Sequence, residues 1–159
     1  MFSTFKKAIP ALIVMTGLAV SATGQAQAGR YLTVKDKTVK EECGACHMAF
    51  SPRMLPARSW DAIMSNLSEH FGEDASLDPI PTQLIRDYLM NNAADTGRWK
   101  SRFMRGVRKK DMPERITKTP YWIRKHSREV SRRAWKRAGT KANCTACHRF
   151  AEKGYYGDD

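Results

Sequence analysis

The 159-residue chain contains one five-residue pattern twice, as Cys43-Gly44-Ala45-Cys46-His47 and as Cys144-Thr145-Ala146-Cys147-His148. The pattern C-x-x-C-H is the attachment motif of c-type haem. Two cysteines three positions apart lie on one face of a helical turn, so they can form thioethers with two vinyl groups along one edge of a porphyrin. The histidine that follows lies beside the ring and reaches the iron as the first axial ligand. The sequence therefore predicts two covalently bound haem c groups, held by Cys43, Cys46, His47, Cys144, Cys147 and His148.

Three other uses of the four cysteines agree less well with their spacing. A thioredoxin-like redox pair at Cys43 and Cys46 lacks the surrounding strand-turn-helix pattern. Two zinc-binding pairs would be separated by 97 residues, well beyond the roughly 15–20 residues of a zinc ribbon. Neither zinc nor a pair of disulfides explains why a histidine follows both cysteine pairs. We therefore favour haem over all three alternatives.

Two haem irons need two more axial ligands, and only His70 and His126 lie outside the motifs. His70 shares a helical stripe with the apolar residues of 60–71, and His126 shares one with those of 122–130. We predict that the iron ligands are His47, His70, His126 and His148.

Distance along the chain predicts how these ligands pair. His70 follows His47 by 23 residues and His126 precedes His148 by 22, and short loops cost less entropy to close. His70 is therefore assigned to the first haem and His126 to the second. Methionine ligation is the rival, and it would raise the reduction potential. Its candidates, most of them predicted to be packing residues, are Met48, Met54, Met64, Met90, Met104 and Met112.

The first 28 residues have the three-part layout of a secretory signal peptide. Lys6 and Lys7 form a positive region, an apolar stretch runs over 8–20, and Ala26-Gln27-Ala28 is a small-x-small cleavage site. The apolar stretch is short for a membrane span, which argues against an uncleaved anchor. We predict a cleaved signal peptide at 1–28, export to a periplasm and no integral membrane segment in the mature chain.

Composition and charge narrow the class of protein. The chain is 42% hydrophobic and 28% charged, which is typical of a globular protein and not of a disordered one. Its net charge of +12 would by itself suggest nucleic-acid binding. The export signal and the haem motifs argue against a nucleic-acid partner.

Charge and motifs divide the mature chain into two haem-binding halves, 29–97 and 98–159. The first half has seven basic and ten acidic residues, net −3, and the second has 19 basic and six acidic residues, net +13. Because complementary charge steers redox proteins together, we predict that an acidic partner docks near the second motif, on Lys141, Arg149 and Lys153. The alternative is that the basic half is simply a solvated face, partly offset by haem propionates.

Periodicity and capping residues predict a mostly α fold, a small two-haem c-type cytochrome with helices packed around both haems. The predicted helices are 40–50, 59–71, 81–92, 120–137 and 142–153, and strand patterns are weak. Ser59 and Thr119 are expected N-caps, and Gly154 is the expected C-cap of the last helix. The basic segment 98–115 is either a solvated helix or a linker.

Beyond the haem motifs, the chain resembles the dihaem cytochrome c family of photosynthetic and related bacteria over residues 40–157. The resemblance implies a soluble, mostly helical periplasmic electron carrier whose two haems are each ligated by two of the four histidines named above. It also implies two partners, a membrane-bound b-type cytochrome and a small high-spin monohaem cytochrome c that accepts electrons. The strings that carry it are Cys43-Gly44-Ala45-Cys46-His47 with Pro52, Leu55-Pro56 and Ser59-Trp60, then His70-Phe71-Gly72, Asp74-Ala75-Ser76-Leu77, Asn92-Ala93-Ala94-Asp95, Arg115-Ile116-Thr117-x-Thr119-Pro120 and Lys141-Ala142-Asn143-Cys144.

Residues and resemblance together predict an electron carrier and not an enzyme. A haem enzyme or a gas-binding haem protein is the first alternative, and it requires an open axial site. A subunit through which electrons enter a larger oxidoreductase is the second, with the same haem chemistry and an obligate partner.

Overall fold

The structure, a computed structural model, describes residues 32–157 of the chain. Within that range it contains five α-helices and no β-strand, so the prediction of a mostly α fold is confirmed. None of these helices is long and apolar enough to cross a membrane. The predicted signal peptide, 1–28, lies outside the described residues. The helices are α1 (Lys37–Gly44), α2 (Ala57–Met64), α3 (Pro79–Asn91), α4 (Pro120–His126) and α5 (Arg132–Ala138), and 3₁₀ turns lie at Pro52–Met54, Leu67–Glu69, Arg102–Met104, Ile116–Lys118, Cys144–Ala146 and Ala151–Lys153.

Helix α3 organises the main hydrophobic core, because it packs against both α1 and α2. Ile85 and Leu89 lie one turn apart on its buried face and are 0% and 3% exposed. Burying a side chain of this kind stabilises a fold by about 1.5–3 kcal/mol. The other buried members of this core are Val34, Val39, Leu55, Trp60, Ile63, Met64 and Ala93, all from the first half of the chain.

Helix α2 begins before Ser59, which the sequence predicts as its N-cap. The N-cap position is Pro56, whose side chain makes no capping hydrogen bond. The carboxylate of Asp95 takes that role and accepts a hydrogen bond from the Ala57 N–H at 2.8 Å. Ser59 is buried inside the helix instead. The prediction is wrong because this cap comes from 38 residues away, where no local pattern reveals it.

Helix α2 also ends earlier than the predicted 59–71, so His70 does not lie on its apolar stripe. The Ser65 hydroxyl donates to the Asp61 carbonyl at 2.7 Å, and Asn66 leaves the helical region with a φ of −140°. Polar side chains that bind the local backbone compete with continuation of a helix. His70 therefore lies in a turn just after Leu67–Glu69.

The other two helices of the first half start at or before their predicted positions. Helix α1 starts at Lys37 because the Asp36 carboxylate accepts a hydrogen bond from the Val39 N–H at 3.0 Å. It ends at Gly44, so the predicted span 40–50 lies too far towards the C-terminus. Helix α3 agrees with the predicted 81–92 to within two residues.

The predicted helix 120–137 is two helices, α4 and α5. Thr119 is the N-cap of α4 as predicted, and its hydroxyl accepts a hydrogen bond from the Trp122 N–H. The break follows because Ser131 starts α5 by accepting a hydrogen bond from the Ala134 N–H at 3.2 Å.

The predicted helix 142–153 consists of two 3₁₀ turns. The Asn143 side-chain amide donates to the Ala138 carbonyl at 3.1 Å, which ties it back to the end of α5. The Thr145 hydroxyl donates to the Asn143 side chain at 2.9 Å, and such local bonds favour turns over a continuous helix. Gly154 ends the second turn with a φ of 82°, the left-handed conformation predicted for a C-cap.

The basic segment 98–115 is an ordered loop held by arginines of the first half. Arg58 on α2 donates through Nε to the Asp111 carbonyl at 2.7 Å and through Nη2 to the Arg108 carbonyl at 3.0 Å. Its Nη1 also binds the carboxylate that caps α2, at 3.1 Å. Arg53 donates to the main-chain carbonyls of Thr96, just before the segment, and of Trp99, at its start. The segment is therefore neither a solvated helix nor a loose linker.

We predict that Arg58→Ala lowers the free energy of unfolding of the holoprotein by about 2–3 kcal/mol, because hydrogen bonds from a charged group contribute about 1.5–3 kcal/mol each. Denaturant unfolding followed by haem absorbance measures this loss. Lys37→Ala is the control, since it removes an ion pair with Glu41 whose side chains are 86% and 61% exposed, worth less than about 1 kcal/mol. Equal losses in the two variants would contradict the role of Arg58.

Candidate haem-binding sites

The first site brings the rings of His47 and His70 together. Their centroids are 6.2 Å apart and their planes differ by 21°. His47 Nδ1 lies 2.8 Å from the Met48 carbonyl oxygen. Since a carbonyl can only accept, Nδ1 carries the proton and the Nε2 lone pair is left for a metal. The Phe50 ring stacks on His47, with its centroid 5.0 Å from that of the imidazole.

A tight turn holds His70 in place. The His70 N–H donates to the Glu73 carbonyl at 2.8 Å, and the Glu73 N–H donates back at 3.3 Å. Between them, Phe71 has a φ of 60° and Gly72 a φ of 106°. A side chain such as that of Phe71 adopts this left-handed region rarely, so the turn is strained at the residue next to His70.

The second site brings His126 and His148 together at a centroid distance of 6.1 Å, with planes nearly perpendicular at 86°. His126 is the last residue of α4, and its Nδ1 donates to the Trp122 carbonyl at 2.9 Å, which again leaves Nε2 free. The buried Trp122 ring stacks on His126 at 4.1 Å and 12°. Trp135 lies 6.1 Å from His126, so aromatic rings fix the orientation of this ligand candidate.

His148 has a different environment. Its Nδ1 is buried and has no hydrogen-bond partner among the described residues, and the same holds for the Tyr156 hydroxyl. The two rings meet edge to face at 5.6 Å. Burial raises the pKa of Tyr156, with a smaller contribution from Cys144, so this hydroxyl keeps its proton at neutral pH.

The four cysteines form no disulfide with one another. Cys43 lies in the last turn of α1, and Cys144 begins a 3₁₀ turn in which the His148 N–H donates to the Cys144 carbonyl at 2.8 Å. Burial raises the pKa of the Cys144 thiol to about 11 and, together with Glu42, raises the pKa of Cys43. Free thiols at these two positions are therefore protonated at neutral pH.

The histidine pairs fit an iron held between two imidazoles. With iron–nitrogen bonds of about 2 Å, and each nitrogen about 1 Å from its ring centre, the two centroids would be about 6 Å apart. The observed 6.2 and 6.1 Å agree with that separation. Among the described residues no group of three or more His, Cys, Asp or Glu side chains could hold a metal by itself.

Comparison with known proteins gives the family. A sequence profile for dihaem cytochrome c matches residues 39–156, more than half of the chain. The chain belongs to the dihaem cytochrome c family. Comparison with curated protein sequences gives no match.

Solved structures of dihaem cytochromes agree with this assignment. A diheme cytochrome c from Rhodobacter sphaeroides is 48% identical, with a TM-score of 0.75, and the match covers 77% of this chain and 98% of that one. DHC purified from Rhodobacter sphaeroides is 46% identical over the same shares, with a TM-score of 0.67. A diheme cytochrome type c from Shewanella baltica OS155 is 38% identical, with a TM-score of 0.62, covering 76% of this chain and 86% of that one.

Family membership confirms the predicted cofactor and the predicted resemblance. This dihaem cytochrome carries two haem c groups, and its family is one of electron-transfer haem proteins. The structure brings His70 beside His47 and His126 beside His148, which are the pairs favoured by chain distance.

Two aromatic residues beside the histidines of the motifs were not foreseen from the sequence. Phe50 lies three residues after His47 and Tyr156 lies eight residues after His148, and each ring packs near its histidine.

The pairing predicts that His126→Gly disturbs only the haem bound at Cys144 and Cys147. Loss of the ligand should make that haem high-spin, while the other keeps the spectrum of the native protein. Optical and EPR spectra of the purified variant measure this, and added imidazole should restore the low-spin state. A change in the haem at Cys43 and Cys46 would contradict the pairing.

Proposed function

We propose that this dihaem cytochrome is a periplasmic electron carrier that passes electrons between redox partners through two low-spin haems, each with two histidine ligands. The observation that carries the proposal is the placement of four imidazoles in two pairs, with 6.2 and 6.1 Å between ring centroids. With both axial positions taken, an iron has no open site for a substrate. It can still exchange an electron without forming a new bond.

We assign thioether attachment to Cys43 and Cys46 for one haem and to Cys144 and Cys147 for the other. The haem, when bound, supplies one-electron iron redox chemistry. The chain orients the ligands by holding the Nδ1 protons of His47 and His126 on carbonyl oxygens. In this proposal the haem-binding halves remain 29–97 and 98–159.

The periplasmic location is inferred from the sequence. The layout of residues 1–28 is that of a cleaved signal peptide, with a positive region, an apolar stretch and a small-x-small cleavage site. A periplasmic carrier would meet partners both in solution and at the membrane surface. By resemblance, we propose a small monohaem cytochrome c and a membrane-bound b-type cytochrome as those partners.

The two alternative functions differ from a free electron carrier in axial ligation or in how tightly a partner is bound. A haem enzyme or gas-binding protein needs a displaceable axial ligand, and the close packing of Trp122 and Trp135 around His126 argues against displacement of that ligand. A subunit that feeds electrons into a larger oxidoreductase has the same ligation as a free carrier. It would, however, remain bound to its partner during purification.

The deciding experiment records optical and EPR spectra of the purified holoprotein with and without carbon monoxide. We expect both irons to be six-coordinate and low-spin, and the ferrous protein to bind no carbon monoxide on mixing. We also expect two distinct ferric signals, because parallel and perpendicular imidazole planes split the iron d orbitals differently. A high-spin signal or rapid carbon monoxide binding would favour the enzyme or sensor.

The surface near the second haem supports the proposed docking of an acidic partner. Lys141, Arg149 and Lys153 are all exposed. Arg149 and Lys153 both lie over the ring of Phe150, at 5.6 and 5.5 Å. Phe150 is itself 42% exposed, so its ring offers a partner an apolar contact surface next to two positive charges.

Few acidic groups offset the positive charge of the second half, residues 98–159, which has 19 basic and six acidic residues. Among the described residues from 98 onwards, the only ion pair joins Arg108 and Asp111. Redox partners commonly meet through interfaces smaller than about 1,200 Å². In such encounters long-range charge governs the rate, and salt screens it over roughly 8–10 Å.

We predict that the bimolecular electron-transfer rate with an acidic partner falls about tenfold or more from low to physiological ionic strength. Reversing Lys141 and Lys153 to Glu should slow the reaction at low salt and leave the haem spectra unchanged. Stopped-flow kinetics measures both effects.

The matched control reverses Lys37 and Lys40, which are exposed on α1 and belong to the acidic half. It changes the net charge by the same amount away from the proposed surface and should slow the reaction much less. A rate insensitive to salt would leave the basic half as a solvated face.

A further inference from the structure

Arg115 brings a positive charge from the basic half to the first haem site. Its guanidinium carbon lies 4.0 Å from the centroid of the Phe71 ring. The Phe71 ring centroid is in turn 4.7 Å from that of His70. The charge therefore lies no more than about 9 Å from the centre of the proposed second ligand of this haem.

The position of Arg115 is set by its neighbours in the chain. It precedes the 3₁₀ turn Ile116–Lys118, and Ile116 packs against the core formed by α2 and α3. The Lys118 N–H donates to the Arg115 carbonyl at 2.9 Å. The guanidinium also packs on the ring of Phe71, and the backbone of Phe71 is held in the strained turn. Both ends of this contact are therefore anchored.

No carboxylate forms an ion pair with Arg115. Among residues 32–157 it has no acidic partner within 4.0 Å and its side chain makes no hydrogen bond. Its charge near His70 is therefore not neutralised by direct contact with a carboxylate.

We propose that Arg115 is a positioning and tuning residue that raises the reduction potential of the haem held between His47 and His70, while leaving that of the second haem nearly unchanged. Oxidation of iron adds one positive charge, so a nearby cation destabilises the ferric form relative to the ferrous form. This inference rests on the proposed ligation of the first haem by these two histidines.

Coulomb's law sets the expected size of the effect. Two unit charges about 10 Å apart in a medium of effective dielectric constant about 20 change an equilibrium constant by about tenfold. Arg115 is exposed, and solvent reduces the effect to about threefold to tenfold. For one electron this corresponds to about 30–60 mV, at 59 mV for each tenfold change.

The test is a redox titration of the holoprotein followed by both absorbance and EPR. Arg115→Gln and Arg115→Leu should lower the reduction potential of the first haem, the one with near-parallel imidazoles, and leave the potential of the second haem unchanged. Arg115→Lys keeps the charge and loses the flat stacking surface, so it should restore most of the native potential. His126→Met should shift only the potential of the second haem, and that shift assigns the two measured potentials to the two haems.

Arg98→Gln is the matched control, because this arginine also lies over an exposed aromatic ring, Trp99, at 5.6 Å. It removes the same charge from the same half, but no described contact links it to a haem-ligand candidate. The proposal would be overturned if Arg115→Gln changed neither reduction potential or only that of the second haem. It would also be overturned if the shift at the first haem were no larger than the shift caused by Arg98→Gln. A shift as large in Arg115→Lys as in Arg115→Leu would assign Arg115 a purely structural role.

Failure of this proposal is separable from failure of the proposed function. Unaltered low-spin spectra in the Arg115 variants, together with no shift in potential, would reject the tuning role and leave bis-histidine ligation intact. A high-spin native protein would instead reject the ligation.

Discussion

Two pairs of histidine rings, His47 with His70 and His126 with His148, lie about 6 Å apart between centroids, and the chain holds each pair by different means. At the first site, His47 follows the end of α1, and a tight turn with a left-handed residue at Phe71 holds His70 opposite. At the second, the helix α4 presents His126, and stacked tryptophans fix its ring. The backbone hydrogen bonds of α4 hold the backbone of His126, whereas the turn that holds His70 contains a strained residue and needs contacts from neighbouring segments to persist.

One short segment connects these two sites. Ile116 packs on the core of the first half, and Thr119 caps the helix that ends at His126, its hydroxyl also donating to the Ile116 carbonyl at 2.8 Å. Arg115 at the start of the same segment reaches the turn of His70. A stretch of five residues, 115–119, therefore contacts both sites, alongside the hydrogen bonds that Arg53, Arg58 and Thr33 make to the second half.

The two halves differ in how much protein core they possess. Every residue of the main core lies in the first half, while the second half buries only a few apolar side chains, Phe103, Trp122, Ala138 and Ala151. A covalently held porphyrin offers a large apolar face, so the second half is expected to gain more of its stability from its haem. The hydrogen bonds from Arg58 and Arg53 then attach its leading loop to the better packed half.

The sequence by itself determined the cofactor, the family and the mostly helical fold, because thioether attachment and axial ligation require fixed residue types at fixed local spacing. It also located the Thr119 and Gly154 caps, which act within a few residues of themselves. Only the tertiary structure decided the Asp95 cap on Ala57 and the contact of Arg115 with Phe71. These two contacts join residues about 40 positions apart. Such outcomes are set by small differences between competing interactions in the packed chain, and no periodic pattern in the sequence encodes them.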